Sequence, residues 1–107
     1  MKHDRDFKDQ VEHLLARNTP ELDVARVRVK EIVDSSGDPS LDVRVILRRR
    51  PERRDVQRTW AVSDQFRTWL AEHGDERFPY FEYLTEEEER DLAKTEQEER
   101  DLGKEGT

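Results

Sequence analysis

Residues 24–62 read VARVRVKEIVDSSGDPSLDVRVILRRRPERRDVQRTWAV, and they decide the fold because they hold most of the β-branched residues and half of the basic ones. From Val24 the apolar residues Val27 and Val29 alternate with Arg26, Arg28 and Lys30, which is the period of a half-buried strand. Residues 34–40, DSSGDPS, have the composition of a hairpin loop. The alternation slips at residues 31–33, so we expect a bulge or the end of the strand there. The strand should pair antiparallel with the next one.

That next strand gives the clearest pattern in the chain. Leu41, Val43, Val45 and Leu47 share one face, and Asp42, Arg44, Ile46 and Arg48 share the other. A basic turn follows at residues 48–54. Residues 56–62 are then predicted to form a third strand, in which Val56, Trp60 and Val62 share a face, although Arg58 interrupts the alternation.

Two amphipathic helices flank these strands. The first covers residues 4–17, where Phe7, Val11, Leu14 and Leu15 form one apolar stripe. The second covers residues 64–73, with Ser63 as N-cap, Phe66, Trp69 and Leu70 on its stripe, and Gly74 at its end. The sequence therefore predicts an α+β fold of order α-β-β-β-α, a three-stranded antiparallel meander with both helices on one face.

The C-terminal residues form an acidic near-repeat, TEEEERDLAK at 85–94 and TEQEERDLGK at 95–104. Thr85 and Glu88 have the spacing of a capping box, so a helix is expected to begin there. Leu92 and Leu102, however, lie about 80° apart on a helix and share no stripe. We expect one α+β domain at residues 1–84 and a tail at 85–107 that is helical, then frays, and is disordered beyond Gly103.

The composition narrows the class of protein. The chain has 107 residues, of which 44% are charged and 32% hydrophobic, and it contains no cysteine. No apolar run approaches the roughly 20 residues of a membrane span, so we expect a soluble, cytoplasmic protein with no membrane contact. Among the 20 basic residues 15 are arginine, which is typical of a GC-rich, bacterial-type genome.

The charges are unevenly distributed along the chain. Residues 24–62 hold ten basic and six acidic side chains, whereas residues 85–107 hold ten acidic and four basic ones. The outward sheet face and its corner are predicted to bind an anion or an acidic partner, because like charges on neighbouring strands repel. The candidate residues are Arg26, Arg28, Lys30, Arg44, Arg48, Arg49, Arg50, Arg53 and Arg54.

Residues 78–84, FPYFEYL, contain half of the eight aromatic residues. Pro79 argues against a central strand or a helix interior. The segment is expected to be an extended lid over the edge of the core. The alternative is a docking segment in which Phe78, Tyr80, Phe81 and Tyr83 contact a partner protein.

No catalytic, nucleotide-binding or metal-binding motif stands out, and we expect neither an enzyme nor a bound cofactor or metal. The function predicted is a protein-interaction or regulatory module. Its acidic partner would be another protein, a second copy of the chain, or the chain's own tail. The alternative is binding of RNA or DNA through the same arginine residues, which the net charge of −7 opposes.

Overall fold

The computed structural model describes the backbone of residues 2–105 and the side chains of residues 6–95. The fold is α+β, with three helices and a three-stranded mixed sheet. The elements in chain order are α1 (Lys2–Asn18), β1 (Val24–Val33), β2 (Pro39–Leu47), α2 (Arg53–Glu72), β3 (Phe78–Thr85) and α3 (Glu86–Glu105).

The predicted hairpin is confirmed. β1 and β2 pair antiparallel, with Val27 opposite Val45 and Val29 opposite Val43. Gly37 closes the connection with a φ of 84°, a value that glycine adopts without steric penalty. β1 ends at Val33, where a strand end or a bulge is expected, and its pairing is regular up to that residue. The one register shift in this pair lies instead between Val24 and Arg26.

The prediction of a third strand at residues 56–62 is wrong, because these residues lie in α2. Val62, Phe66 and Leu70 recur at every fourth position and are fully buried, which is a helical period. Val56 and Trp60, expected to share the buried face with Val62, are exposed. The helix begins after Glu52, whose backbone N–H donates to the Asp55 carboxylate, so Ser63 lies inside α2 and caps nothing.

The third strand is instead the aromatic segment. β3 pairs parallel to β2, with Val43 opposite Phe81 and Val45 opposite Tyr83, so the antiparallel meander is also wrong. The sheet order β1-β2-β3 makes β3 an edge strand. Pro79 fits there because an edge strand tolerates a residue that cannot donate a ladder hydrogen bond. α2 is the crossover that a parallel connection requires.

α1 and α2 cover the same face of the sheet, as the sequence predicts. The core combines the α1 stripe, the α2 stripe and the odd-numbered residues of β2. Its fully buried members include Val11, Leu41, Val43, Val45, Val62, Phe66 and Leu70. The rings of Phe7 and Phe66 pack edge to face across the two helices, with 6.3 Å between their centroids.

α3 lies against the opposite face of the sheet, near the ends of β2 and β3. Ile46, which the strand pattern places on that face, is fully buried although it lies outside the main core cluster. α3 begins at Glu86, so the expected helical start of the acidic tail is confirmed. The backbone remains helical to Glu105, past the predicted end at Gly103, and residues 106 and 107 lie outside the described part of the chain.

Candidate functional site

The face opposite the main core carries the basic residues predicted from the strand pattern. Arg26, Arg28 and Lys30 project from β1, and Arg44 projects from β2 opposite Arg28. We call the surface formed by these four residues the arginine face. Two basic side chains directly opposed on neighbouring strands repel each other, so the face requires nearby negative charge.

α3 supplies part of that charge. The Glu89 carboxylate accepts a hydrogen bond from Nη2 of Arg26, and its other oxygen lies 3.4 Å from Nη1 of Arg28. The Glu89 side chain is only 10% exposed. Glu86, one turn earlier, lies 3.9 Å from Nη1 of Arg26. The acidic helix therefore contacts the arginine face through two carboxylates on successive turns.

Two other predicted residues are paired with acids from the body of the protein. Nη2 of Arg44 lies 3.7 Å from the carboxylate of Glu82 on the neighbouring strand β3. Nη1 of Arg48 donates to the Asp23 carboxylate at 2.8 Å and to the backbone oxygen of Val24 at 3.0 Å. Arg48 thereby links the end of β2 to the beginning of β1.

The remaining arginine residues lie beyond the sheet. Arg49 and Arg50 belong to the loop after β2, while Arg53 and Arg54 begin α2. Arg54 pairs with Glu52 at 3.2 Å. Arg49, Arg50 and Arg53 are exposed, and no ion pair joins them to the described side chains, residues 6–95. We call these three residues the basic corner; two of them, Arg49 and Arg50, line a cavity together with residues 85–88 at the first turn of α3.

The first turn of α3 is held by a capping box. The hydroxyl of Thr85 accepts from the backbone N–H of Glu88, and the Glu88 carboxylate accepts from the backbone N–H of Thr85 at 3.1 Å. These hydrogen bonds, with a smaller contribution from the charge of Arg50, lower the pKa of Glu88 below its ordinary value. The helix that covers the arginine face therefore begins at a defined residue.

The aromatic residues of β3 divide between the two sides of the sheet. Phe81 and Tyr83 are half-buried and pack against the core, and desolvation raises the pKa of Tyr83. Phe78 and Tyr80 are exposed, and their rings lie 4.8 Å apart. The Tyr80 hydroxyl donates to Asp34 at 3.3 Å. Only Phe78 and Tyr80 of the predicted docking segment are therefore available on the surface.

Sequence reasoning missed a second exposed apolar pair. Trp60 is 78% exposed, and Val56 lies one turn before it on the same side of α2. Arg67 lies two turns after Trp60, and its guanidinium carbon is 5.0 Å from the centroid of the Phe78 ring. Arg67 thus connects the exposed side of α2 to the exposed aromatic residues of β3.

Within the described side chains, no group of three or more His, Asp or Glu residues is arranged to hold a metal ion. None of the helices in that part of the chain combines the length and the apolar content needed to cross a bilayer. No family model, no curated protein and no solved structure matches this chain. The arrangement of side chains is therefore the sole basis for a functional assignment.

Proposed function

We propose that this protein is a non-catalytic interaction module that binds an acidic segment of a partner protein on its arginine face. Its own helix α3 occupies that face when the partner is absent. The observation that carries the proposal is the position of Glu89, a carboxylate of an acidic helix buried between Arg26 and Arg28. A partner helix with similarly spaced acids would make the same contacts.

The arginine face retains hydrogen-bonding capacity that α3 does not use. The Nε atoms of Arg26 and Arg44 are buried and have no hydrogen-bond partner among the described residues. Buried donors in folded proteins are nearly always satisfied, so an additional acceptor would be favourable here. A partner segment with acceptors that reach both Nε atoms would form two hydrogen bonds that α3 does not form.

The contacts of α3 are also weak enough for a partner segment to displace it from the arginine face. Among the described residues of the helix, 86–95, only Leu92 and Ala93 are apolar, and Ala93 is exposed. Docking therefore depends mainly on ion pairs whose arginine partners are partly solvated, and such pairs contribute little individually. α3 can leave the face without disturbing the main core on the other side of the sheet.

The basic corner gives an arriving partner its first contact. Its three arginine residues are exposed, and Arg49 and Arg50 lie beside α3. Attraction between opposite charges accelerates encounter at low ionic strength. A partner would first contact this corner and then displace the α3 carboxylates from Arg26 and Arg28.

A labelled peptide that reproduces residues 85–105 provides the test, because its sequence already fits the face. We expect weak binding to the full-length protein and at least about tenfold tighter binding to the Glu89→Gln variant, since the resident helix then competes less well. Fluorescence anisotropy at low and at moderate salt measures both affinities. Equal affinity for the two proteins would contradict the proposal.

Two further variants locate the binding surface. Arg26→Gln combined with Glu89→Gln should lose the gain in affinity, because the shared arginine is absent. Glu87→Gln is the matched control, since Glu87 is an exposed acid of the same helix and its replacement should leave the affinity unchanged.

The same assay distinguishes the alternative function. Nucleic-acid binding through the arginine face would appear as tight binding of a duplex or single-stranded oligonucleotide with a steep dependence on salt. The proposal requires the peptide to bind Glu89→Gln more tightly than either oligonucleotide does.

A cytoplasmic location remains a prediction from the cysteine-free composition.

A further inference from the structure

We propose that the partner segment of the arginine face carries a phosphorylated side chain in the place that Glu89 occupies. This inference rests on the proposed function, because it names the chemical class of the group that displaces α3. Two properties of the face support it, namely the balance of its charges and the hydrogen-bond donors that Glu89 leaves unused.

The charges of the arginine face are balanced while α3 is docked. Lys30 lies directly opposite Asp42 on β2, so these two charges offset each other. The three arginine residues of the face contact three carboxylates. These ion pairs join Arg26 to Glu86 and Glu89, Arg28 to Glu89, and Arg44 to Glu82.

Displacement of α3 removes most of the negative charge. The helix takes Glu86 and Glu89 with it, whereas Glu82 stays on β3, so three arginine residues face one acid. A phosphorylated side chain carries a charge of about −1.5 to −2 at pH 7. One such group therefore supplies about as much negative charge as both carboxylates of α3 together.

The hydrogen-bond donors of the face also exceed what a carboxylate accepts. The two oxygens of Glu89 contact Nη2 of Arg26 and Nη1 of Arg28. The Nε atoms of Arg26 and Arg44 are buried and remain without a hydrogen-bond partner among the described residues. An arginine side chain presents a planar fork of donors that matches two oxygens of a phosphate. A phosphate keeps a third oxygen for a neighbouring arginine.

The three arginine residues lie close enough to contact one phosphate. Arg28 lies directly opposite Arg44, and Arg26 lies opposite Ile46, two positions after Arg44. Arg26 and Arg44 are therefore diagonal neighbours about 7–8 Å apart, a distance within reach of long side chains. Clustered arginine residues are a recurrent means of binding phosphorylated segments of proteins.

The charges around the face favour a protein segment over a nucleic acid. Glu82 stays beside Arg44, and the whole chain has a net charge of −7. A single phosphate can reach the arginine residues between these acids, whereas a continuous chain of phosphates would be repelled by them. The partner is therefore a short segment with one phosphorylated residue.

Three labelled peptides of residues 85–105 test the inference. One has the natural sequence, one has Glu89→Ser, and one has phosphoserine at the same position. Fluorescence anisotropy measures their binding to the full-length Glu89→Gln protein, in which the resident helix competes less well. We expect the phosphoserine peptide to bind at least about tenfold more tightly than the natural one, and the Glu89→Ser peptide to bind most weakly.

Replacing arginine with lysine separates hydrogen bonding from charge. Arg44→Lys, added to Glu89→Gln, keeps the positive charge but removes the Nε donor and the planar fork. It should abolish the preference for phosphoserine and change the affinity of the natural peptide by less than about twofold. Arg58→Lys is the matched control, because Arg58 is an exposed residue of α2 on the other side of the sheet. A preference that persists in Arg44→Lys would overturn the inference.

The outcomes separate this inference from the function on which it rests. If the natural peptide binds and the phosphoserine peptide binds no more tightly, the inference is wrong and the proposed function stands. If neither peptide binds, both are wrong. Inorganic phosphate and an oligonucleotide are added as competitors, and displacement of the phosphoserine peptide by an equal concentration of either would also overturn the inference.

Discussion

Replacing Glu89 with Gln measures how strongly α3 is held to the sheet. The Glu89 side chain is 10% exposed, whereas the side chains of Arg26 and Arg28 are 40% and 59% exposed. A hydrogen bond to a charged group contributes roughly 1.5–3 kcal/mol, and an exposed ion pair roughly 0.2–1 kcal/mol. Because both arginines are partly solvated, we expect a coupling energy of about 1–1.5 kcal/mol with Arg26 and about 0.5 kcal/mol with Arg28.

A double-mutant cycle of Arg26→Gln and Glu89→Gln gives the first coupling energy. Amide hydrogen exchange within the first three turns of α3 is the appropriate measurement, because the helix can open while the core remains folded. Lys8 and Glu12 provide a control cycle, since they form an exposed pair at 3.8 Å for which we expect about 0.3 kcal/mol. A coupling between Arg26 and Glu89 no larger than that of the control would refute the assignment of Glu89 as the main attachment of α3.

Two further predictions concern the core and the helix cap. Val62→Ala should lower the free energy of unfolding by about 2 kcal/mol in urea denaturation, because it removes two fully buried methyl groups. Trp60→Ala should change it by less than about 0.5 kcal/mol, and similar losses for the two variants would argue for a strand in place of α2. Because the pKa of Glu88 is lowered by folding, its capping box stabilises α3 at neutral pH, and that contribution is lost as the pH falls through the lowered pKa. Circular dichroism below about pH 4 should show loss of helix that is smaller in Glu88→Gln.

The hairpin and α1 could be predicted because their patterns have one interpretation. Alternation from Val24 to Val29 and from Leu41 to Leu47 allows no helix, and residues 34–40 allow little other than a turn. The stripe on α1 is equally specific, since Phe7, Val11 and Leu14 are all buried as expected. Local chemistry therefore determines these elements.

The second half of α2 is predicted correctly as a helix, whereas its first half and β3 are not predicted, because a short segment supports more than one period. Val56, Trp60 and Val62 are separated by even numbers of residues, which fits a strand when Trp60 is assumed to be buried. In the folded protein Trp60 is exposed, so these three residues do not share a buried face. Pro79 argues against a central strand but is accepted in an edge strand, and only the assembled sheet shows that β3 lies at an edge.

The arginine face was predictable from alternation, but its partners were not. Which acid meets Arg26 depends on the direction in which α3 leaves Thr85, and that direction is set by packing. One signal was present in the strand pattern. Ile46 is an apolar residue among basic ones on the same face, and its complete burial shows that this face is covered at that position.

The sequence separation between Arg26 and Glu89, 63 residues, has a consequence for synthesis on the ribosome. At roughly 5–20 residues per second, the arginine emerges about 3–13 s before its carboxylate partner. The local hairpin can close early in that interval, whereas parallel pairing of β3 waits for the crossover helix. Counted from Met1, residues 1–62 hold 14 basic and 12 acidic side chains, whereas residues 1–84 hold 16 basic and 17 acidic ones. Each newly made chain therefore passes through a brief basic stage, which ends before Leu84 is added.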